Sequence, residues 1–123
     1  MKPVILWFEP DPKKLAPLRA AAVRLKLTLR RVPRAAYGMT IGNIAGSASD
    51  LPSGEEHEPL PCEMMVFCAL PDAAVSAFLA AMRQGRCPVS LKAVLTEHNA
   101  DWDPETLCRE LSEEHRKMTG ETV

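Results

Sequence analysis

Two unbroken apolar runs, sixty positions apart, constrain this chain more than any other feature: Val4-Ile5-Leu6-Trp7-Phe8 and Met64 through Leu70. A strand that is apolar at every position has no face to offer water, so it belongs in the middle of a sheet covered on both sides. Each run closes at a turn signal, Glu9-Pro10-Asp11-Pro12 in the first case and Pro71-Asp72 in the second. Each then gives way to a helical pattern. Leu15, Leu18, Ala22 and Leu25 share one face over about 13–24, and Val75, Phe78, Leu79 and Met82 share another, with Gly85 just past the end. Pro17 is tolerable because it falls in the first turn, whose N–H groups have no intrahelical partner.

After each helix the period changes to two. Leu25, Leu27 and Leu29 alternate with Lys26, Thr28 and Arg30, which predicts a half-exposed strand over Leu27 to Val32, stopped by Pro33. Leu91, Ala93 and Leu95 alternate with Lys92, Val94 and Thr96 in the same way. Thr40 can cap a short helix that Gly46 ends. The sequence therefore reads as one domain, 1–123, with a first strand–helix–strand unit over 1–46, a flexible linker over 47–62 and a second unit with a terminal helix over 63–118. The expected fold class is α+β: a four-stranded sheet from two βαβ units in ferredoxin-like βαββαβ order, plus a short inserted helix and a C-terminal helix. A small doubly wound parallel sheet is the alternative. The apolar first and third strands are expected in the centre and the amphipathic second and fourth at the edges. Leu18, Ala20 and Ala21 fall on Phe78, Ala80 and Ala81 at a shift of 60, a repeat more topological than residue by residue.

The stretch from Leu91 to Trp102 carries the candidate site. Thr96 and Asn99 are short hydrogen-bonding side chains where the chain leaves a strand. Asp103 stands as N-cap with Pro104 at the first helical position. Trp102 and Leu107 have the spacing of a hydrophobic staple, which makes Trp102 a structural clamp before it is a stacking surface. Strand-end loops are where sites are commonly built, so Lys92, Thr96, Asn99 and Trp102 are the candidate ligand-binding residues. A histidine beside a carboxylate, such as His98 beside Glu97, can act as acid or base, but no second group points to a reaction. No catalytic residue is assigned. The terminal helix, Pro104 to about Lys117, shows an inner stripe of Leu107, Leu111, His115 and Met118.

The run Met65-Val66-Phe67-Cys68-Ala69-Leu70, then Lys92-Ala93-Val94-Leu95-Thr96 with Asn99 and Trp102, then Leu107 through Glu110-Leu111 to Glu114-His115, resembles a bacterial family described as domain of unknown function 3783. Tyr37-Gly38-Met39-Thr40-Ile41-Gly42 extends the resemblance more loosely into the first half. The family usually has a proline and a small polar residue between the threonine and the asparagine. Glu97 and His98 stand there in this chain, so no role for His98 carries over. The resemblance implies a cytosolic bacterial domain and supplies no activity.

Composition excludes several classes. With 46% hydrophobic and 25% charged residues the chain is globular rather than disordered. The N-terminal apolar run is too short for a signal peptide or a membrane span, so a cytoplasmic location without membrane association is expected. The cysteines Cys62, Cys68, Cys87 and Cys108 lack the spacing of zinc or redox motifs and read as free thiols; neither metal nor cofactor is expected. Residues 1–49 carry a net +7 and residues 50–123 a net −8, with no acidic residue between Pro12 and Ser49. That asymmetry can mark an anion or nucleic-acid surface, but no nucleic-acid motif accompanies it, so nucleic acid is disfavoured and the basic half is expected to pack beside the acidic half within the fold or to face a second subunit. The reading that results is a non-catalytic domain binding a small anionic metabolite or a protein partner, a homodimer among the candidates. A small enzyme at the Thr96–Asn99 loop, and anion or nucleic-acid binding by the basic 13–34 segment, are the alternatives.

Overall fold

The computed structural model describes residues 2–47 and 51–119. Strand β1 (Val4–Phe8) leads through a 3-10 turn, Pro12–Lys14, into α1 (Leu15–Arg24), and β2 (Leu29–Arg31) follows. A second 3-10 turn, Arg34–Ala36, precedes the short α2 (Ile41–Gly46). The second unit comprises β3 (Met64–Cys68), α3 (Asp72–Gln84), β4 (Leu91–Val94) and α4 (Pro104–Thr119). Residues 48–50 of the expected linker, and the side chain of Met118, lie outside the described residues.

The four strands form one mixed sheet in the order β2-β1-β3-β4. The two fully apolar strands are central and every residue of both is buried. The ferredoxin-like order is not the one formed. Each unit keeps its own two strands adjacent and parallel, and the units meet through antiparallel β1 and β3. The physical reason lies in the pairing edges: each helix returns its amphipathic strand to the free edge beside its own first strand, so no foreign strand is inserted between them. Opposite residues in the β1–β3 pair include Leu6 and Val66, which are sixty positions apart. A local twofold axis between the units therefore passes close to that pair.

Strand alternation divides the core in two. Ile5, Trp7, Met65 and Phe67 point to the face covered by Leu18, Ala21 and Ala22 of α1 and by Phe78 and Met82 of α3. Val4, Leu6, Phe8, Met64, Val66 and Cys68 point to the other face, covered by Ile41, Ile44 and Ala45 of α2 and by Leu107 and Cys108 of α4. The fold is thus helices, sheet, helices. Buried Trp7 donates its indole N–H to Glu63 Oε2 at 2.6 Å. The same carboxylate accepts from Lys14 Nζ at 2.6 Å and from the Asp11 N–H at 3.3 Å, which pins the turn before α1 to the start of β3.

The helix ends depart from the expected chemistry. Gly85 follows α3 with φ of −83°, and the left-handed residue is Arg86 at +55°. Cys87 N–H then donates back to Met82 C=O at 2.9 Å, and Arg86 N–H to Arg83 C=O at 3.2 Å, the two bonds of a Schellman cap. The first unit repeats this at a shift of sixty: Lys26 has φ of +58°, with Leu27 N–H bonded to Ala22 C=O and Lys26 N–H to Val23 C=O. This cap takes up Lys26 and Leu27, so β2 begins at Leu29 rather than Leu27. Gly46 is the last residue of α2, with Ser47 capping it, while Thr40 Oγ1 accepts the Asn43 N–H at 3.2 Å as expected. His115, expected on the inner stripe of α4, is exposed, on the rim of a concave surface that it shares with Leu111 and with Ser90, Leu91 and Lys92 at the start of β4.

Candidate functional site

The loop after β4 is held from within. Asn99, buried to 8% exposure, accepts the Thr96 N–H on Oδ1 at 2.9 Å and donates from Nδ2 to Val94 C=O at 3.1 Å. Its own N–H donates to Thr96 Oγ1 at 3.3 Å. The loop's outer carbonyls serve the neighbouring helix: Ile41 N–H donates to Trp102 C=O at 2.8 Å and Gly42 N–H to Ala100 C=O at 2.9 Å, which satisfies the orphan donors at the start of α2. Asp103 Oδ1 accepts the Thr106 N–H at 2.8 Å and caps α4. Hydrogen bonding from the Thr106 side chain first, and from its N–H second, holds the Asp103 carboxyl below its ordinary value, against the opposing pull of burial. Trp102 is half-buried against the same cluster as Leu107, with the His98 ring edge-on at 4.9 Å. Thr96, Asn99 and Trp102 are brought together, and the side-chain polar groups of Thr96 and Asn99 are engaged with backbone. Lys92 stands apart from them, four positions back along the strand, roughly 13 Å at the usual rise.

Lys92 belongs to a different place, a groove of about 500 Å³ between the end of α3 and the free side of β4. Leu79, Met82 and Val89 are among its apolar lining, and Arg83, Arg86 and Lys92 contribute its cations. All three cationic residues are exposed, and none is in an ion pair among the described residues. Lys92 Nζ spends one donor on Val89 C=O at 2.8 Å. No carboxylate and no histidine lines the groove. Sequence patterning places Arg83 and Arg86 on a helix end without pointing to a groove. The available signal was a length difference between the repeats. Ile5 pairs with Leu29, but Met65, its equivalent at a shift of sixty, pairs with Lys92, so the second unit has three additional residues before its edge strand.

A second concave surface, of about 460 Å³, lies at the carboxyl end of β1 and β2 beside Glu9, Arg31, Arg34 and Tyr37. Glu9 has φ of +52°, a strained value for a glutamate at a strand end. Its carboxylate accepts from Arg34 Nε at 3.0 Å and Nη2 at 2.7 Å, from Tyr37 Oη at 2.7 Å and from the Leu60 N–H at 3.3 Å. Burial alone would raise the Glu9 carboxyl; the hydrogen bonds from Arg34, Tyr37 and Leu60, with the Arg34 charge, outweigh it and leave it lowered. Burial, reinforced by the Glu9 carboxylate, raises the Tyr37 phenol. Both groups are thus held in their ordinary neutral-pH forms and tie residues 34–37 and 60 to β1. A charged residue directly after an apolar strand was the sequence signal for this cluster.

Folding also uses up part of the basic segment. Lys14 is bonded to Glu63 and to Pro88 C=O, Arg30 to Ser47 C=O at 2.6 Å, and Arg34 to Glu9. His57, flanked by carboxylates in the sequence, has its ring against Gly38. Among the described residues no three His, Cys, Asp or Glu side chains converge as metal ligands would. No described helix is long and apolar enough to cross a membrane.

No curated protein and no solved structure matches the chain. Residues 63–118, from the residue before β3 into the last turns of α4, match the model of a family described as Domain of unknown function (DUF3783), the family that the sequence resembles.

Proposed function

We propose that the domain binds a small amphipathic anion without transforming it, in the groove between α3 and β4. The observation that carries this reading is the pairing of an apolar lining with three cations that have no ionic partner, in a volume of about 500 Å³. Ligand sites are commonly mostly apolar clefts of roughly 300–1,000 Å³ with a few placed polar groups. An acyl or aryl chain would cover Leu79, Met82 and Val89, while its carboxylate or phosphate would meet Arg83, Arg86 and the remaining donors of Lys92. The lining has neither histidine nor carboxylate to move protons, which supports binding over turnover. In this reading Thr96, Asn99 and Trp102 act indirectly, by fixing where β4 ends.

The test is a titration with the fluorescent anion anilinonaphthalene sulfonate, followed by displacement with dodecanoate and, separately, with uncharged dodecanol. Saturable binding at one site is expected, with dodecanoate displacing better than dodecanol. Arg83→Gln with Arg86→Gln should weaken dodecanoate at least about tenfold, the equivalent of roughly 1.4 kcal/mol. Equal displacement by acid and alcohol, or unchanged affinity in the double variant with Lys92→Gln added, would refute the groove as an anion site.

A further inference from the structure

The carboxyl end of β1 and β2 carries charges that its counterpart in the second unit lacks. Glu9 and Ala69 each follow a central strand with left-handed backbone, φ of +52° and +59°. Trp7 pairs with Arg31, and its equivalent Phe67 pairs with Val94, so Arg31 and Val94 also correspond. The second unit thus builds the same strand end and the same edge with an alanine and an exposed valine. The frame itself requires neither the carboxylate nor the guanidinium. Both instead line the cavity of about 460 Å³, together with Arg34 and Glu56. Glu9 accepts from Arg34 Nε at 3.0 Å and Nη2 at 2.7 Å, which fixes that guanidinium and leaves Nη1 without a hydrogen bond among the described residues. Arg31 is exposed and in no ion pair among the described residues. The His57 N–H donates to Arg34 C=O at 3.3 Å, which holds the preceding Glu56 beside the cavity.

We propose that this cavity is a second binding site, which takes the zwitterionic head of a free α-amino acid. Its carboxylate meets the fork of Arg31 and Nη1 of Arg34, the planar donor geometry that suits a carboxylate. Its ammonium meets Glu56 and the remaining lone pair of Glu9 Oε1, which accepts from Arg34 Nη2. The rings of Pro10 and Pro33 are the apolar surface for its side chain. Charge selects this class over simpler ions. Two arginines and two glutamates line the cavity, so a ligand carrying both signs satisfies both pairs. A bare anion would face the two carboxylates, and a bare amine the two guanidiniums. The groove between α3 and β4 has cations alone and therefore takes a different ligand. Arg31 and Arg34 end the basic 13–34 segment, and in the sequence nothing joins them to Glu9 and Glu56, because the four meet only across the fold.

The experiment titrates each of the common L-amino acids, to millimolar concentration, into the full chain at neutral pH and reads the heat of binding. For every one that binds, the deaminated acid and the decarboxylated amine are titrated in parallel. Saturable binding of at least one amino acid, one per chain, is expected, with both single-charge analogues at least about tenfold weaker. Arg31→Gln and Glu56→Gln, both at exposed positions, should each weaken the amino acid at least about tenfold. Arg83→Gln with Arg86→Gln should leave it unchanged, and Arg31→Gln should leave the binding of anilinonaphthalene sulfonate unchanged, which separates this site from the groove. Circular dichroism checks that each variant is folded, and should one substitution unfold the chain the other decides. Four results would each overturn the proposal: no amino acid bound, the deaminated acid or the amine bound as tightly, affinity unmoved by Arg31→Gln and Glu56→Gln, or affinity lost with Arg83 and Arg86.

Discussion

Replacing Asn99 by alanine tests whether the loop after β4 is architecture. The substitution removes two hydrogen bonds, from the Thr96 N–H and to Val94 C=O, while the Asn99 N–H bond to Thr96 Oγ1 survives. A typical intramolecular hydrogen bond contributes about 0.5–1.5 kcal/mol net. Val94 and Thr96 are exposed, so water can reach their freed backbone groups, and the cost stays near ~2 kcal/mol rather than the full penalty of two buried orphans. At roughly 2.1 cal/mol/K per residue, a chain of this length unfolds with an entropy near 0.26 kcal/mol/K, so Tm should fall by about 8 °C. Urea unfolding followed by circular dichroism supplies the free energy. Amide exchange supplies the location, because Ile41 and Gly42 donate to carbonyls of this loop and should lose protection before the strands do. A change below about 0.5 kcal/mol, or exchange unaltered at those two amides, would refute the reasoning and return Asn99 to the candidate ligand contacts.

Three further outcomes are expected. Arg86→Gly and Lys26→Gly each relieve a left-handed backbone at the cost of a more flexible unfolded chain, so each should stabilise by ~0.5–1 kcal/mol in thermal or urea unfolding; destabilisation of both would mean their side chains contribute more than the strain costs. Glu9 and Asp103 have lowered carboxyl pKa values, so their contribution is fully present above the ordinary values of 4.5 and 3.8 and is lost as pH falls through the lowered folded ones. Stability should therefore decline below about pH 5, with a shallower decline in Glu9→Gln; identical acid curves would exclude Glu9 from the linkage. In α2, Gly42→Ala would place a Cβ 3.1 Å from Ala100 O and should cost about 1 kcal/mol, whereas Gly46→Ala meets nothing within 4 Å and should gain about 0.5, so calorimetry should find opposite signs.

Periodicity made the elements and the central strands legible, because a run like Val4–Phe8 has a single sensible environment whatever its neighbours do. The same logic located the staple of Trp102 and the cap at Asp103, both of which are local in sequence. Strand order was not local. The ferredoxin-like expectation and the observed order β2-β1-β3-β4 share central and edge strands and differ in which edge each helix returns to, a distinction that hydrophobic patterning does not encode. The groove was illegible for a related reason. Arg83, Arg86 and Lys92 read as three unconnected surface charges until α3 and β4 are laid side by side.

The repeat explains why the groove lies where it does. The shift of sixty holds through strand, helix and cap, down to the left-handed pairs Glu9 with Ala69 and Lys26 with Arg86. It fails between Cys87 and β4, where the second unit adds three residues, and the added segment lines the groove with Pro88 and Val89. That segment is not slack. Val89 is buried, Pro88 C=O accepts from Lys14, and Val89 C=O accepts from Lys92. The first unit reaches its edge strand directly from the cap, so the extra length is not needed to close a βαβ turn. In the second unit the additional residues lengthen the connection from the cap to β4, which pairs along β3 at the level where β2 pairs along β1, and they line a concave surface on the rim of an otherwise repeated frame. A site grafted on one copy of a duplicated scaffold would leave this trace, and the cations cluster at the place where the two copies diverge.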